Sequence, residues 1–367
     1  MKAVVLAGGE GTDLRPITQW RPKPLVPILN KWCIDYVITS LTRAGAKEII
    51  IATGYMSDAI IQAVGDGSRY KTCILYSFEQ TPMGTAGAVK KVGAFLDDTF
   101  IVASGDVLAD LNIRAIYNYH RRKKALATMA LVTAPKPYEF GMVAIDNENR
   151  IIKFKEKPKP GEKLFSKLIN AGIYVFEPEV LDYIPTNTWY DFALNVFPAM
   201  LKADEAIYGA PTSGLWLDLG RPSDLLRANK AVMERTKSRV DRRRYKKVDI
   251  KGKLVVGKGT VIEENVKIRG YCYIGKNCKI GMKTTLEDAY VLDNVTIDHE
   301  SVIRNSIIMS NTTVGWRCRA KESIISEHCV FEDDVKISGS VIGDNVTIKI
   351  HLAVKDALVD PGSVMVK

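Results

Sequence analysis

No two cysteines in this sequence form a C-x-x-C pair, and the six present, at 33, 73, 272, 278, 318 and 329, join no Cys/His cluster. That usage argues against a disulfide framework or a structural zinc site and for buried, reduced thiols. Histidine is scarce: the four in 367 residues, at 120, 299, 328 and 351, lie far apart and spell out no triad or metal motif. No apolar run reaches transmembrane length, and Met-Lys leads straight into an apolar strand without a secretory leader. The expectation is a cytoplasmic protein with no membrane partner. Low-complexity tracts are lacking too. With 46% hydrophobic and 26% charged residues the chain is ordinary for a globular protein and long enough for two domains.

What the chain does have in excess is positive charge, a formal net of +10. Much of it is local, in KSRVDRRRYKK at 237–247, where Asp241 is the only acid. Tyr245 is the one aromatic there and no nucleic-acid motif surrounds it. A solvated linker or a subunit contact is the reading, with no nucleic acid as partner. A basic balance also suits an enzyme whose substrates are all phosphates.

The chain divides into halves of different period. In the first, apolar strand candidates at 2–7, 48–53, 72–78 and 99–104 alternate with helical patterns at 31–44, 57–64 and 85–95. Such alternation predicts right-handed βαβ units on a largely parallel, Rossmann-like α/β sheet. Ligands on such sheets bind beyond the carboxyl ends of the strands, so chemistry is sought at 8–16, 54–58, 80–87 and 105–107. Later strands at 125–133, 142–146, 151–155 and 172–176 read as antiparallel or mixed and as the substrate-facing subregion. In the second half the period becomes six: Val256, Ile262, Ile268, Ile274, Ile280, Leu286 and Leu292 follow one another without a miss. The repeat resumes in new phases at Ile308 and Val314, at Ile325, Phe331 and Ile337, and at Ile342 and Ile348. A hexapeptide period predicts a parallel β-helix whose stacked coils bury the aliphatic residue. The expected domains are 1–236, a basic linker 237–250, and a β-helix 251–367 whose last segment, 351–367, caps the open end.

The turn after the first strand reads GGEGTDLRP at 8–16. It is neither a Walker A loop nor the dinucleotide fingerprint, because Leu14 stands where the third glycine belongs. The amides of Gly8, Gly9 and Gly11 could form a nest for phosphate oxygens, and Lys23, between Pro22 and Pro24, would add a stiffly held positive charge. Alone this is also what a tight corner looks like.

At this point the sequence resembles the sugar-phosphate nucleotidyltransferases (nucleoside-diphosphate-sugar pyrophosphorylases). LAGGEGTDLRPIT and RPKPLVPILNK are followed in order by GYMSD (54–58), PMGTAGAV (82–89), SGDV (104–107), FGMV (140–143), FKEKP (154–158), NAGIY (170–174) and WLDLG (216–220), and then by the hexad tail. Within the family the blend looks most like the mannose-1-phosphate guanylyltransferases, with glucose-1-phosphate thymidylyl- and uridylyltransferases close by. The resemblance implies a nucleotidyltransferase domain followed by a left-handed β-helix, and transfer from a nucleoside triphosphate, GTP favoured, to a sugar 1-phosphate. It assigns Leu6, Ala7, Gly8, Gly9, Gly11 and Thr12 to nucleotide binding, together with Gln80, Gly84, Thr85 and Ala86 as the turn that reads the base. Lys23, Arg15 and Lys157 become the catalytic cations. Gly141, Glu156, Lys157 and Asn170 become the sugar-phosphate contacts, and Asp106 and Asp218 the ligands of Mg2+. Bland readings stand beside these: a helix-capping Asp106, a solvated FKEKP hairpin, and a plain helix start at GTAG.

One residue departs from the family. Most relatives carry arginine at position 13, where this chain has Asp13. An anion within reach of a triphosphate costs on the order of kilocalories per mole in a low-dielectric cleft. Three accounts remain open: Arg15 or Arg21 supplies the charge, Asp13 recruits a magnesium ion, or the chain is a weakly active regulatory homologue. An acyl-transfer activity of the tail, with His299 or His328 at a coil edge, is a weaker alternative. The tail is expected to serve a homo-oligomer.

Overall fold

The computed structural model describes residues 1–159, 161–238, 240 and 245–366. Arg239 and the 241–244 stretch of the basic linker therefore lie outside the described residues. By contacts the chain forms two compact units, one of Met1–Glu10 with Cys33–Asp218, the other of Gly11–Trp32 with Leu219–Lys367. A single cut at 236 follows the sequence, but the segment carrying Lys23 groups with the C-terminal unit.

The first unit is built on a nine-stranded sheet. Lys2–Leu6 runs parallel to Glu48–Thr53 on one side and to Phe100–Ser104 on the other, and Cys73–Phe78 continues the parallel set. Lys2–Leu6, Glu48–Thr53 and Phe100–Ser104 are near-continuous runs of Ile, Val and Ala, as strands covered on both faces must be, whereas the edge strand Cys73–Phe78 is partly exposed. Leu168–Phe176 then pairs antiparallel with Phe100–Ser104, and carries Ala127–Thr133, Met142–Ile145 and, beyond it, Ile151–Lys155. The later strands are thus antiparallel or mixed in direction, as expected. They extend the same sheet, because Leu168–Phe176 is long enough to join both halves. An aromatic cluster of Phe100, Tyr174, Phe176, Phe192 and Phe197 fills the core beneath this junction.

Helix boundaries differ from expectation in informative ways. Lys31–Trp32 pairs with Pro27–Ile28, so the first helix starts at Cys33 and ends at Ala44, where Gly45 takes φ +98°. The helix expected over 85–95 spans Gly84–Lys91, and a separate 3-10 turn covers Gly93–Phe95. Helices Ile113–Lys123 and Pro222–Arg235 went unread, as their polar faces mask the apolar stripe.

The second unit is a parallel β-helix. Ile250 stacks on Ile268, Ile268 on Leu286, Leu286 on Ile303, and Ile303 on Ala320. The strict six-residue run overshoots by one position. Ile274 stacks on Val291 and Val291 on Ile308, so Val291, rather than Leu292, is the inward residue of that coil. Later coils are one residue shorter, which is why the phases appear to break. The interior contains Cys272, Cys278, Cys318 and Cys329, all free. Burial pushes the Cys272 and Cys318 thiols up to about 11 and Cys329 to about 12. Cys33 is buried as well, but Cys73 is exposed. The segment 351–367 is no cap. Ala353–Lys355, Leu358–Val359 and Val364–Met365 pair in register as one more coil, leaving Leu358, Val364 and Val366 more than half exposed.

Candidate active site

In the first unit the strand ends bring together residues far apart in sequence. Val107–Leu111 pairs antiparallel with Gly214–Asp218, in a register that sets Val107 opposite Asp218. Asp106 immediately precedes Val107, so both expected metal carboxylates stand at one end of one ladder. Ser104 Oγ donates to Asp106 Oδ1 at 3.1 Å. Gly105 is required at this turn, since a Cβ there would lie 2.9 Å from Val5 and 3.0 Å from the Leu6 carbonyl.

The same ladder is tied to the expected sugar contacts. Trp216 Nε1 donates to the Ala171 carbonyl at 2.9 Å, and the Phe140 ring meets Trp216 edge-on at 5.4 Å. Asn170 N donates to the Gly141 carbonyl at 2.9 Å, while its side chain accepts from Gly172 N and donates to Tyr174 Oη. Gly141 makes room for a carboxylate: a Cβ there would fall 2.5 Å from Glu156 Oε2. Burial raises the Glu156 pKa above the usual carboxylate range, Lys157 opposes that, and Asp191 adds to it. Lys157 is exposed with φ +36°, a left-handed backbone unusual for lysine, and its amide donates to the Phe140 carbonyl at 3.2 Å. Gly141, Glu156, Lys157, Asn170 and Asp218 therefore belong to one connected patch.

Gly8 lies close to Gly54 and Glu79, whereas a Cβ on Gly9 would meet nothing within 4 Å, so the turn after Leu6 and Ala7 presents open backbone. Glu79, which motif reading passed over, holds the next turn: its Oε2 accepts from Met83 N at 2.9 Å, beside exposed Gln80. Gly84 is needed twice, for φ +71° and because a Cβ would sit 2.5 Å from the Tyr190 carbonyl. Thr85 and Ala86 bond to the 190–191 segment. Thr85 Oγ1 donates to Asp191 Oδ2 at 2.8 Å, and the Ala86 amide donates to the Tyr190 carbonyl at 2.9 Å. Both are committed to holding the 190–192 segment. Asp191 was also missed, although an Asp ahead of FALNVF is a helix-start signal: its Oδ1 accepts from Ala193 and Leu194 amides.

The second unit carries the remaining loop residues. Gly11 adopts φ +63°, and a Cβ there would lie 2.7 Å from Lys23 Cβ, so the glycine lets the loop close onto the lysine. Thr18 Oγ1 donates to the Gly11 carbonyl at 2.6 Å. Thr12, Asp13 and Arg15 are exposed around the turn Thr12–Leu14, whereas Lys23 is buried between its prolines. Arg21 is not available to replace a missing arginine: it is paired with Asp344, and with Glu327 at 3.2 Å. His299 Nδ1 accepts from Met282 N at 3.1 Å and His328 sits at a coil corner with φ +59°.

Among the described residues no group of three or more His, Cys, Asp or Glu side chains is arranged to hold an ion. The pair Asp106 and Asp218 offers hard oxygen donors only. That set suits Mg2+, which takes one or two protein carboxylates and completes its shell with phosphate and water, and does not suit zinc.

Comparison with known proteins divides the chain near residue 236. Residues 2–235 match the family model described as nucleotidyl transferase, and residues 237–321 match the left-handed β-helix model described as the EIF2B subunit epsilon LbH domain. A UTP–glucose-1-phosphate uridylyltransferase of Synechocystis is 33% identical, covering 80% of this chain and 83% of its own. A mannose-1-phosphate guanylyltransferase of Mycobacterium tuberculosis is also 33% identical, at 82% of each chain. The catalytic subunit beta of a mannose-1-phosphate guanylyltransferase from Dictyostelium discoideum is 31% identical over the whole of both chains. A crystal structure described as a putative glucose-1-phosphate thymidylyltransferase from Bacillus anthracis superposes with TM-score 0.58 and 27% identity, over 65% of this chain and 98% of that one.

Proposed function

The chain belongs to the nucleotidyl transferase family and ends in a left-handed β-helix, and from that premise we propose that it transfers a nucleotidyl group from GTP to mannose 1-phosphate, releasing pyrophosphate. The observation that supports the chemistry is the Val107/Asp218 register, which puts Asp106 and Asp218 at one end of one strand ladder. For GTP and mannose 1-phosphate, the support is a guanylyltransferase relative matched from end to end. A uridylyl- or thymidylyltransferase is the second reading, since relatives of those names match at 33% and 30% identity.

In this reading a phosphate oxygen of the sugar 1-phosphate attacks the α-phosphorus in line. An O–P bond forms, the bond between the α-phosphorus and the bridging oxygen breaks, and pyrophosphate leaves. Lys157 holds the attacking phosphate, and Glu156 and Asn170 orient the sugar through its hydroxyls. Lys23 and Arg15 neutralise the departing pyrophosphate, while the open backbone at Gly8 and Gly9 wraps the triphosphate. Little covalent chemistry is asked of the protein, so positioning and charge neutralisation dominate. Asp106 and Asp218 would hold Mg2+, which when bound supplies charge neutralisation at phosphate oxygens. Asp13 leaves the loop short of one positive charge, so catalysis is slower than arginine would permit. We further propose that the β-helix assembles copies of the chain.

The test is a matrix of nucleoside triphosphates against sugar 1-phosphates scored by pyrophosphate release with magnesium. GTP with mannose 1-phosphate should lead, Asp106→Asn should lower the rate at least ~100-fold, and Asp13→Arg should raise kcat/KM by roughly tenfold. Nucleotide-sugar binding without release from any combination would overturn the enzyme reading in favour of a regulatory homologue.

A further inference from the structure

The segment 11–32 bears the signature residues Gly11, Arg15 and Lys23, yet its own secondary structure is slight: two 3-10 turns and a two-residue strand pair. What holds it in place lies in the C-terminal half of the same unit. Arg21 is directed at Asp344, with its other terminal nitrogen 3.2 Å from Glu327 Oε1. The Asp344 carboxylate also accepts from the Glu327 amide at 2.9 Å. These groups are withdrawn from water, with side-chain exposures of 13% for Arg21 and 6% for Asp344. At the far end, Asn30 Nδ2 donates to both oxygens of Asp293 at 2.9 and 2.8 Å, and Leu29 N donates to Asn229 Oδ1 at 2.7 Å. Trp20 lies against the final coil, with ring atoms 3.3 Å from where a Cβ on Gly362 would be.

We propose that Asp344 and Glu327 of the β-helix are positioning residues for catalysis, clasping Arg21 so that Lys23 and Arg15 are set for the phosphates. The inference rests on the nucleotidyltransferase reading. Its physical basis is that a buried ion pair is weak glue but a strong register device. Removing one partner strands a charge, whereas removing both leaves packing largely intact. Lys23 is two residues from Arg21 with only Pro22 between, so the stiff backbone passes any displacement of the clasp to the lysine. An ångström of misplacement at a phosphate contact is enough to cost about 100-fold in rate. The clasp also gives the arginine of QWRPKP a task. Burial holds the Asp344 pKa above the usual carboxylate range although Arg21 opposes it, the desolvation cost that a buried ion pair carries.

The experiment uses the full chain and compares the parent with Asp344→Asn, Glu327→Gln and the double variant Arg21→Gln with Asp344→Asn. Hydrogen exchange is read over residues 11–26, and kcat and KM are measured with GTP and mannose 1-phosphate. Each variant should exchange about tenfold faster over 11–26 and lose about 10- to 100-fold in kcat, with KM for the sugar phosphate near the parent value. The double variant guards against misfolding, since it removes both members of the buried Arg21–Asp344 pair and leaves only the carboxylate of Glu327, 30% exposed, without its arginine. Parental exchange and parental kcat in a folded double variant would overturn the clasp. If the parent itself releases no pyrophosphate, the functional reading fails, while the exchange over 11–26 still decides whether the clasp orders the loop.

Discussion

At the scale of single residues, the sharpest constraint is the gap beside Gly141. A methyl group there would press on Glu156 Oε2 at 2.5 Å and on the Phe154 ring at 3.0 Å. Gly141→Ala should therefore displace Glu156 and raise KM for the sugar phosphate about tenfold, leaving KM for GTP unchanged, with a stability loss of about 1–3 kcal/mol from overpacking. Steady-state kinetics with each substrate varied in turn, beside thermal melts, would check this. His120 offers a second residue-scale prediction. It is fully buried, with Nδ1 2.9 Å from Thr128 Oγ1 and Nε2 3.1 Å from Glu177 Oε1. Burial holds its pKa below the ordinary 6.5, despite the opposing pull of Glu177. The unfolded chain therefore takes up a proton near that ordinary value while the folded chain resists it. The stability tied to His120 is complete above the ordinary value and is lost as pH falls through the depressed one. His120→Gln should flatten the fall in stability below pH ~6.5 seen in urea titrations of the parent; an unchanged slope would remove His120 as its cause.

At the scale of elements, the β-helix shows what a one-dimensional pattern conveys and where it stops. The hexad aliphatics announced the architecture because each coil repeats one inward position, and from Ile262 to Leu286 position and period agree. Val291 shows the limit: sixes lead to Leu292, but the coil there is one residue shorter, a change visible only once Ile274 is seen to stack on Val291. Ile303 lies wholly in this interior and Arg304, its neighbour, points outward. Ile303→Ala should cost about 2–5 kcal/mol and Arg304→Ala no more than about 0.5 kcal/mol, measurable by denaturant unfolding. Placement was legible where a motif sits at a strand end, as with Asp106, or beside a glycine that a neighbour forces, as with Gly141. Glu79 and Asp191 were not: Glu79 closes a turn on Met83 N that no motif marks, and Asp191 accepts from the Thr85 hydroxyl 106 residues away, a relation that no local spacing encodes. Thr85 and Ala86 matched a motif, but their bonds run to Asp191 and Tyr190.

At the scale of the whole molecule, sequence and contact divide the chain differently, and the difference has a consequence. The nucleotidyl transferase match ends at 235, which suggests an independent catalytic piece. The compact units instead take Gly11–Trp32 together with 219–367. Within that second unit the segment relies on Asn229 for Leu29, on Asp293 for Asn30, and on Asp344 and Glu327 for Arg21. A fragment of residues 1–236 keeps only the first of these. Its 11–32 segment, short of helix and strand, cannot recover the ordering free energy of about 1–2 kcal/mol per residue from its own contacts. The fragment should retain the sheet signature in circular dichroism, yet melt well below the full chain, expose 11–32 to limited proteolysis, and release pyrophosphate at least ~100-fold more slowly. A fragment that melts and turns over like the full chain would show that the signature loop orders itself, and would confine the β-helix to assembly.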